Sequence, residues 1–195
     1  MEKVDISRAV EALSKGELVV YPTDTLYGLG ADIFNESAVN KVFKIKKRSS
    51  NNPLSVSVSS FSDIEKIAFV DDKVKKLVET FLPGKLTIIL NKKNVVPDIV
   101  TGGLDKIAVR IPNNKIALEL LSKFGPLTAT SANVHGMKTP FIINEINMQF
   151  KDEIAVYLDD GCLEGKPSTI VDATTEELKI IREGAILRNE IMSLM

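Results

Sequence analysis

A chain of 195 residues fits a single domain, and a 44% hydrophobic content is enough to bury a core without disulfides or a structural metal. Its 25 Lys and Arg against 26 Asp and Glu leave a formal charge of −1. That balance excludes a protein gripping long nucleic acid over a basic face and confines any positive field to a cleft. One cysteine, Cys162, excludes an internal disulfide framework and any multi-cysteine metal site. One histidine, His135, excludes His-rich metal centres and argues against a Ser-His-Asp triad. The start MEKVDISRAVEAL has an early acid and no apolar signal core. The longest apolar runs are about four residues against the ~20 a membrane span needs, so a cytosolic, membrane-free chain is expected.

Taken in chain order, Ile6, Val10 and Leu13 recur at helical spacing, and Gly16 follows as a stop signal. Leu18 to Tyr21 is a short apolar run ended by Pro22, which predicts a strand. Val39, Val42 and Phe43 mark a second helix running into the basic stretch Lys44 to Arg48. Leu54 to Val58 predicts a strand, and Val74, Leu77, Val78 and Phe81 a helix ended by Pro83-Gly84. Leu86 to Leu90 and Ile107 to Ile111 are strand-like, and Ile116 to Phe124 is helical, closed by Gly125-Pro126. Leu127 to Thr130 leads into the polar turn Ser131-Ala132-Asn133. Ile154 to Leu158, Ser168 to Val171 and Leu178 to Ile181 supply further strands, and Ile186 to Leu194 a closing helix. The repeated change of period predicts an α/β fold with a twisted mixed parallel/antiparallel sheet and flanking helices, in one domain over residues 3–193.

Five polar segments sit at the ends of apolar runs, where α/β proteins place their sites. Pro22 to Ala31 combines hydroxyls and glycines, fit for a backbone-lined binding turn or an ordinary capped βα turn. In Lys44 to Pro53, Lys46 and Arg48 suit a phosphate clamp, but taken alone such a charge run reads first as a solvated helix end. Arg110, inside an apolar strand, needs an anion: a ligand carboxylate or a structural Asp or Glu. Thr128 to Asn133 offers hydroxyls and an amide to phosphate or ribose, or as helix caps. The fifth is Gly165 to Ile170 followed by Ile181 to Gly184. No Walker A string occurs, and no GxGxxG opens a helix. Acids on both sides of Cys162 raise a thiol pKa, which argues against a nucleophile.

In order, these segments resemble the YrdC-like family of threonylcarbamoyl-AMP synthases. The family's PT-[DE]-T-x-YGLGA turn is complete at Pro22 to Ala31. KxR stands at Lys46-Lys47-Arg48, N-P-L at Asn52-Pro53-Leu54, and a PGPxT-like element at Pro83 to Thr87. A VAVRxP-like strand spans Ile107 to Pro112, followed by SxN at Ser131 to Asn133, STI at Ser168 to Ile170 and R-x-G at Arg182 to Gly184. The resemblance implies a concave, positively lined groove. It also implies a nucleotidyltransferase that turns L-threonine, bicarbonate and ATP into threonylcarbamoyl-AMP and pyrophosphate for tRNA modification. Lys46 and Arg48 are then the catalytic phosphate clamp. Ser50, Ser131, Asn133 and Arg182 join them around ATP, and Thr23, Tyr27, Arg110, Thr130 and Ser168 hold L-threonine. Magnesium is expected on the triphosphate, with no obvious protein ligand. Partner proteins would carry the product to tRNA, so the chain itself needs at most weak RNA affinity. The alternative is a non-catalytic RNA- or nucleotide-binding module of the same fold. Hydrogenase-maturation proteins that carry this domain are much longer chains.

Three departures bear on the site. Ser49 and Lys85 replace prolines of the family pattern, and Ser57 stands where many members have a histidine near the threonine pocket. The segment Val134 to Pro140 has one proline restraint fewer than the pattern.

Overall fold

The computed structural model describes residues 5–193; residues 3, 4 and 194, which belong to the expected domain and closing helix, lie outside the described residues. The chain opens with α1 (Ile6–Ser14), β1 (Val19–Tyr21), β2 (Gly28–Gly30) and α2 (Glu36–Lys46). β3 (Ser55–Ser57), α3 (Phe61–Ile67), α4 (Asp72–Phe81) and β4 (Leu86–Asn91) follow. Next come α5 (Asp98–Thr101), β5 (Lys106–Arg110), α6 (Lys115–Phe124), β6 (Leu127–Thr128) and β7 (Thr130–Ser131). α7 (Ile143–Phe150), β8 (Val156–Tyr157), β9 (Thr169–Asp172), β10 (Lys179–Arg182) and α8 (Arg188–Met192) complete it. The side chains of Asp5, Asn35, Ser60, Asp71 and Asn114 each accept a backbone N–H at the start of their helix, a cap worth about 1 kcal/mol.

The expected mixed pairing is present, divided between two sheets: β7-β2-β1-β8 and β10-β9-β4-β5-β3-β6. β1 runs parallel to β8 and antiparallel to β2; β4 runs parallel to β9 and antiparallel to β5; β3 runs parallel to β5. The division falls inside the run Leu127 to Thr130, expected as one segment. Thr128 donates its backbone N–H to Ala31 O (2.9 Å) and its hydroxyl to Leu29 O (2.8 Å), while Ala129 N donates to Ser55 O (2.7 Å). These bonds let β6 pair with β3 and, one residue later, β7 with β2. The corner at Ala129 hangs Thr130 and Ser131 over the face of the larger sheet.

Strand alternation sorts the core. Leu18 and Val20 join the main cluster with Val56, Ile88, Val109 and Val171, whereas Val19 and Tyr21 face α1 and α6. β2 was hidden inside the polar turn because it is built of glycines. A Cβ at Gly28 or Gly30 would lie 3.1 or 3.0 Å from the Tyr21 ring, so glycine lets β2 lie against that ring without the ring having to shift.

Candidate active site

Val56, Ile88 and Val109 face the main core, and the opposite face of the larger sheet carries a cavity. Ser55, Ala108 and Arg110, with Thr87, Ile89 and Ile170, floor a cavity of about 520 Å³ on that face. Register fixes the floor: Ser55 lies beside Ala108, Ala108 beside Ile89, and Thr87 beside Ile170. Thr23, Thr25 to Gly28 and the corner residues Ala129 to Ser131 form one wall; Arg48, Pro53, Thr139, Pro167, Ser168, Ile181 and Arg182 form the rest. Among the described residues three guanidiniums, Arg48, Arg110 and Arg182, reach this cavity, and no Asp or Glu lines it.

Each arginine is held differently. Arg48 Nη2 donates to Pro53 O (2.8 Å), and its Nε is buried without a protein partner. Arg182 donates to Ser168 O through Nε (3.2 Å) and Nη2 (2.8 Å). Arg110 is ion-paired to Asp24 Oδ1 and donates to Thr25 Oγ1 (3.2 Å) and Gly84 O (3.4 Å). Burial lowers the pKa of all three; Asp24 partly offsets this at Arg110, and the charge of Arg110 adds to it at Arg182.

The 22–31 turn is rigid by its own bonding. The Thr23 hydroxyl donates to Leu26 O (2.6 Å) and accepts from the N–H groups of Thr25 and Leu26 (3.2 Å each). Tyr27 Oη accepts from Asp160 N (2.9 Å) and meets Asp159 Oδ1 (3.0 Å) and Gly161 O (2.8 Å), which straps residues 159–161 onto the turn. Burial pushes the Tyr27 hydroxyl well above its ordinary pKa, so it remains a neutral hydrogen-bond hub. Gly165 N donates to Thr25 O (3.0 Å), continuing the strap.

The Sua5/YciO/YrdC sequence model, described as telomere recombination, matches residues 11–184, so it takes in every segment that walls the cavity. The chain belongs to the Sua5/YciO/YrdC family. A protein from Methanocaldococcus jannaschii is 45% identical over 172 residues, covering 88% of this chain and 81% of its own. A Pyrococcus abyssi protein named threonylcarbamoyl-AMP synthase is 37% identical over 194 residues, covering 98% of this chain but 57% of itself. The crystal structure of P. abyssi Sua5 complexed with L-threonine superposes with a TM-score of 0.93 at 37% identity, covering 97% of this chain and 57% of that one. This chain thus spans little more than half of the P. abyssi family member.

Within this family member the residues expected from sequence divide into two groups. Thr23, Tyr27, Arg48, Arg110, Thr130, Ser131, Ser168 and Arg182 line the cavity. Lys46, Ser50 and Asn133 do not. Ser50 is exposed on the turn after α2, which carries it away from the cavity. Asn133 spends its amide inside its own loop, donating to Val134 O (3.0 Å) and Met137 O (2.9 Å). Lys46 is 2% exposed, and its ammonium donates to Ser131 O (2.5 Å) and Asn133 O (2.6 Å). Those carbonyls sit on the inner side of the SxN turn, so the lysine braces the cavity wall from behind. His135 is exposed, and its backbone N–H donates to Lys46 O (2.8 Å). Cys162 is exposed, with its thiol held above its ordinary pKa by desolvation and by Glu164.

Burial, reinforced by Arg48, pushes the Lys46 pKa down to about 7 from 10.5. Between those values the unfolded chain holds a proton that the folded protein has shed, so this group makes stability rise as pH climbs from about 7 toward 10.5. Lys46→Met should flatten that rise, read as urea midpoints of the variant and the parent at neutral and alkaline pH.

Sequence reading missed Thr25, Ser55 and Thr87 in the lining and Asp24 behind Arg110. Asp24, Thr25 and Thr87 lay in quoted motifs; Ser55 is marked by being a hydroxyl inside an apolar strand. Ser57 is fully buried beside Arg110 in register. Its Oγ lies next to the Tyr21 hydroxyl without a well-formed hydrogen bond to it, and Tyr21 donates instead to Thr128 O (3.0 Å). Ser57 therefore touches the pocket only through the strand it sits on.

Proposed function

We propose that this chain is an L-threonylcarbamoyladenylate synthase, a nucleotidyltransferase of the cytoplasm that serves tRNA modification. The observation carrying this reading is a cavity with three guanidiniums, a row of hydroxyls and no lining carboxylate, in a family whose P. abyssi member is named for this product and was crystallised with L-threonine.

The chemistry needs no histidine or cysteine. The threonine amine adds to bicarbonate and loses water to give a carbamate, whose oxygen attacks the α-phosphorus of ATP as pyrophosphate leaves. Such transfers depend on positioning and on neutralising charge in a site that excludes water. Arg48 and Arg182 face the triphosphate and stabilise the departing pyrophosphate. Ser131 holds the nucleotide directly, while Lys46 and Asn133 act by fixing the shape of the SxN turn. Arg110 takes the threonine carboxylate, with Thr23, Tyr27, Thr130 and Ser168 shaping the pocket around the rest of the amino acid. Among the described residues no three His, Cys, Asp or Glu side chains form a metal site, and the cavity offers no carboxylate ligand. The chain thus does not fit a resident magnesium, which would enter as MgATP, part of the substrate. Downstream proteins would take the adenylate to tRNA.

Incubation of the purified chain with labelled bicarbonate, L-threonine, magnesium and ATP tests the reading. Pyrophosphate release that requires both threonine and bicarbonate, together with a labelled adenylate, is the expected result. ATP binding without turnover, accompanied by affinity for structured RNA, would instead make the chain a binding module.

A further inference from the structure

Of the three guanidiniums at the cavity, only Arg110 has a carboxylate partner among the described residues. Arg48 and Arg182 meet only carbonyl and hydroxyl oxygens and keep their full charge. The Arg110–Asp24 pair is desolvated, its side chains 7% and 8% exposed, and both Asp24 Oδ2 and Arg110 Nε are buried without a protein partner. The cavity therefore holds two uncompensated positive charges, suited to a polyphosphate, and one neutral pair whose members still have unused hydrogen-bonding capacity.

We infer that Asp24 is a specificity-determining residue that, by pairing with Arg110, makes the amino-acid end of the cavity select a zwitterion over a simple carboxylate. The inference rests on the proposed placement of threonine at Arg110. A lone buried arginine attracts any anion and repels an ammonium. With Asp24 beside it, the site has no net charge, so a ligand carrying both signs loses nothing against one carrying a single negative charge. The same carboxylate fixes the guanidinium: Nη2 is held by Asp24 and Nη1 by Thr25, whose hydroxyl is itself held 3.0 Å from that of Thr23.

Threonine and 3-hydroxybutyrate, which is threonine without its amino group, separate this role from a merely structural one. Titration calorimetry on the full chain should show Asp24→Asn binding L-threonine about 10- to 100-fold more weakly, the loss expected for a charge-assisted contact. Its affinity for 3-hydroxybutyrate should be unchanged or higher, and Asp24→Glu should restore the parent's preference. Equal weakening toward both ligands, or unchanged threonine binding, would overturn the inference. Should Asp24→Asn not fold, the charge-free double variant D24N/R110Q carries the test. It should bind both ligands weakly and show no preference for the zwitterion, whereas a retained preference overturns the inference. Arg110→Gln should weaken both ligands. Undiminished threonine binding by that variant would displace threonine from this end of the cavity, which is failure of the proposed function's geometry rather than of the role of Asp24.

Discussion

Arg182→Ala should lower threonine-dependent pyrophosphate release by about 30- to 1000-fold, equivalent to roughly 2–4 kcal/mol of transition-state stabilisation. Arg182 stands on β10 at the edge of the larger sheet, and its guanidinium is aimed by two bonds to Ser168 O (3.2 and 2.8 Å) rather than neutralised by an acid. A carbonyl orients a cation without cancelling it, so the full charge is available where pyrophosphate departs. The loss should appear in kcat and in the KM for ATP, with the fold intact, because Arg182 is a partly exposed residue on an edge strand and stands outside the core clusters. Arg182→Lys should recover only part of the rate, since a point charge cannot reproduce the planar fork. Near-parental activity in Arg182→Ala would remove this residue from the phosphate site.

Gly184→Ala should be damaging by another route. A Cβ on Gly184 would lie 2.2 Å from Pro167 O and 2.6 Å from Ser168 O, and both obstacles are backbone. Gly184 N also donates to Thr169 Oγ1 (2.9 Å), and Ala185 N donates to Pro167 O (2.9 Å), so the segment cannot retreat without losing bonds. Overpacking of this kind costs about 1–3 kcal/mol. For a chain of this size that is a fall in Tm of roughly 2–12 °C. The displacement runs straight into Ser168 and Arg182, so activity at temperatures well below the transition should fall as well. A variant with parental Tm and parental rate would show that the 167–168 backbone yields easily.

Much of the scaffold could be read in the sequence because periodicity reports burial directly. The helices at Ile6, Val39, Val74 and Ile116, and the strands at Leu86 and Ile107, present continuous apolar faces to the core. α3 and α7 lacked so clear a pattern, and β2 was concealed because its glycines answer to Tyr21, a contact made across the sheet. The motif segments converge on one cavity as expected, but the work of individual side chains depends on depth, which sequence does not express. Lys46 and Arg48 are two residues apart at the end of α2, so one turns inward to the SxN carbonyls while the other reaches the cavity. Arg110 needed an anion, and the one it has in the folded chain is Asp24, 86 residues earlier.

Of the three parallel pairings, β1 with β8 and β4 with β9 join the segments furthest apart in sequence, and they set the order in which these sheets can be assembled on a ribosome. β1, made within the first 21 residues, finds its parallel neighbour only when Val156 and Tyr157 have been synthesised, and β4 waits for Thr169 to Asp172. Pairings between such distant segments form slowly and leave strand edges open in the meantime. The emerging polypeptide therefore carries unfinished sheets until those residues have been made, and the cavity acquires its last wall only once Arg182 has appeared.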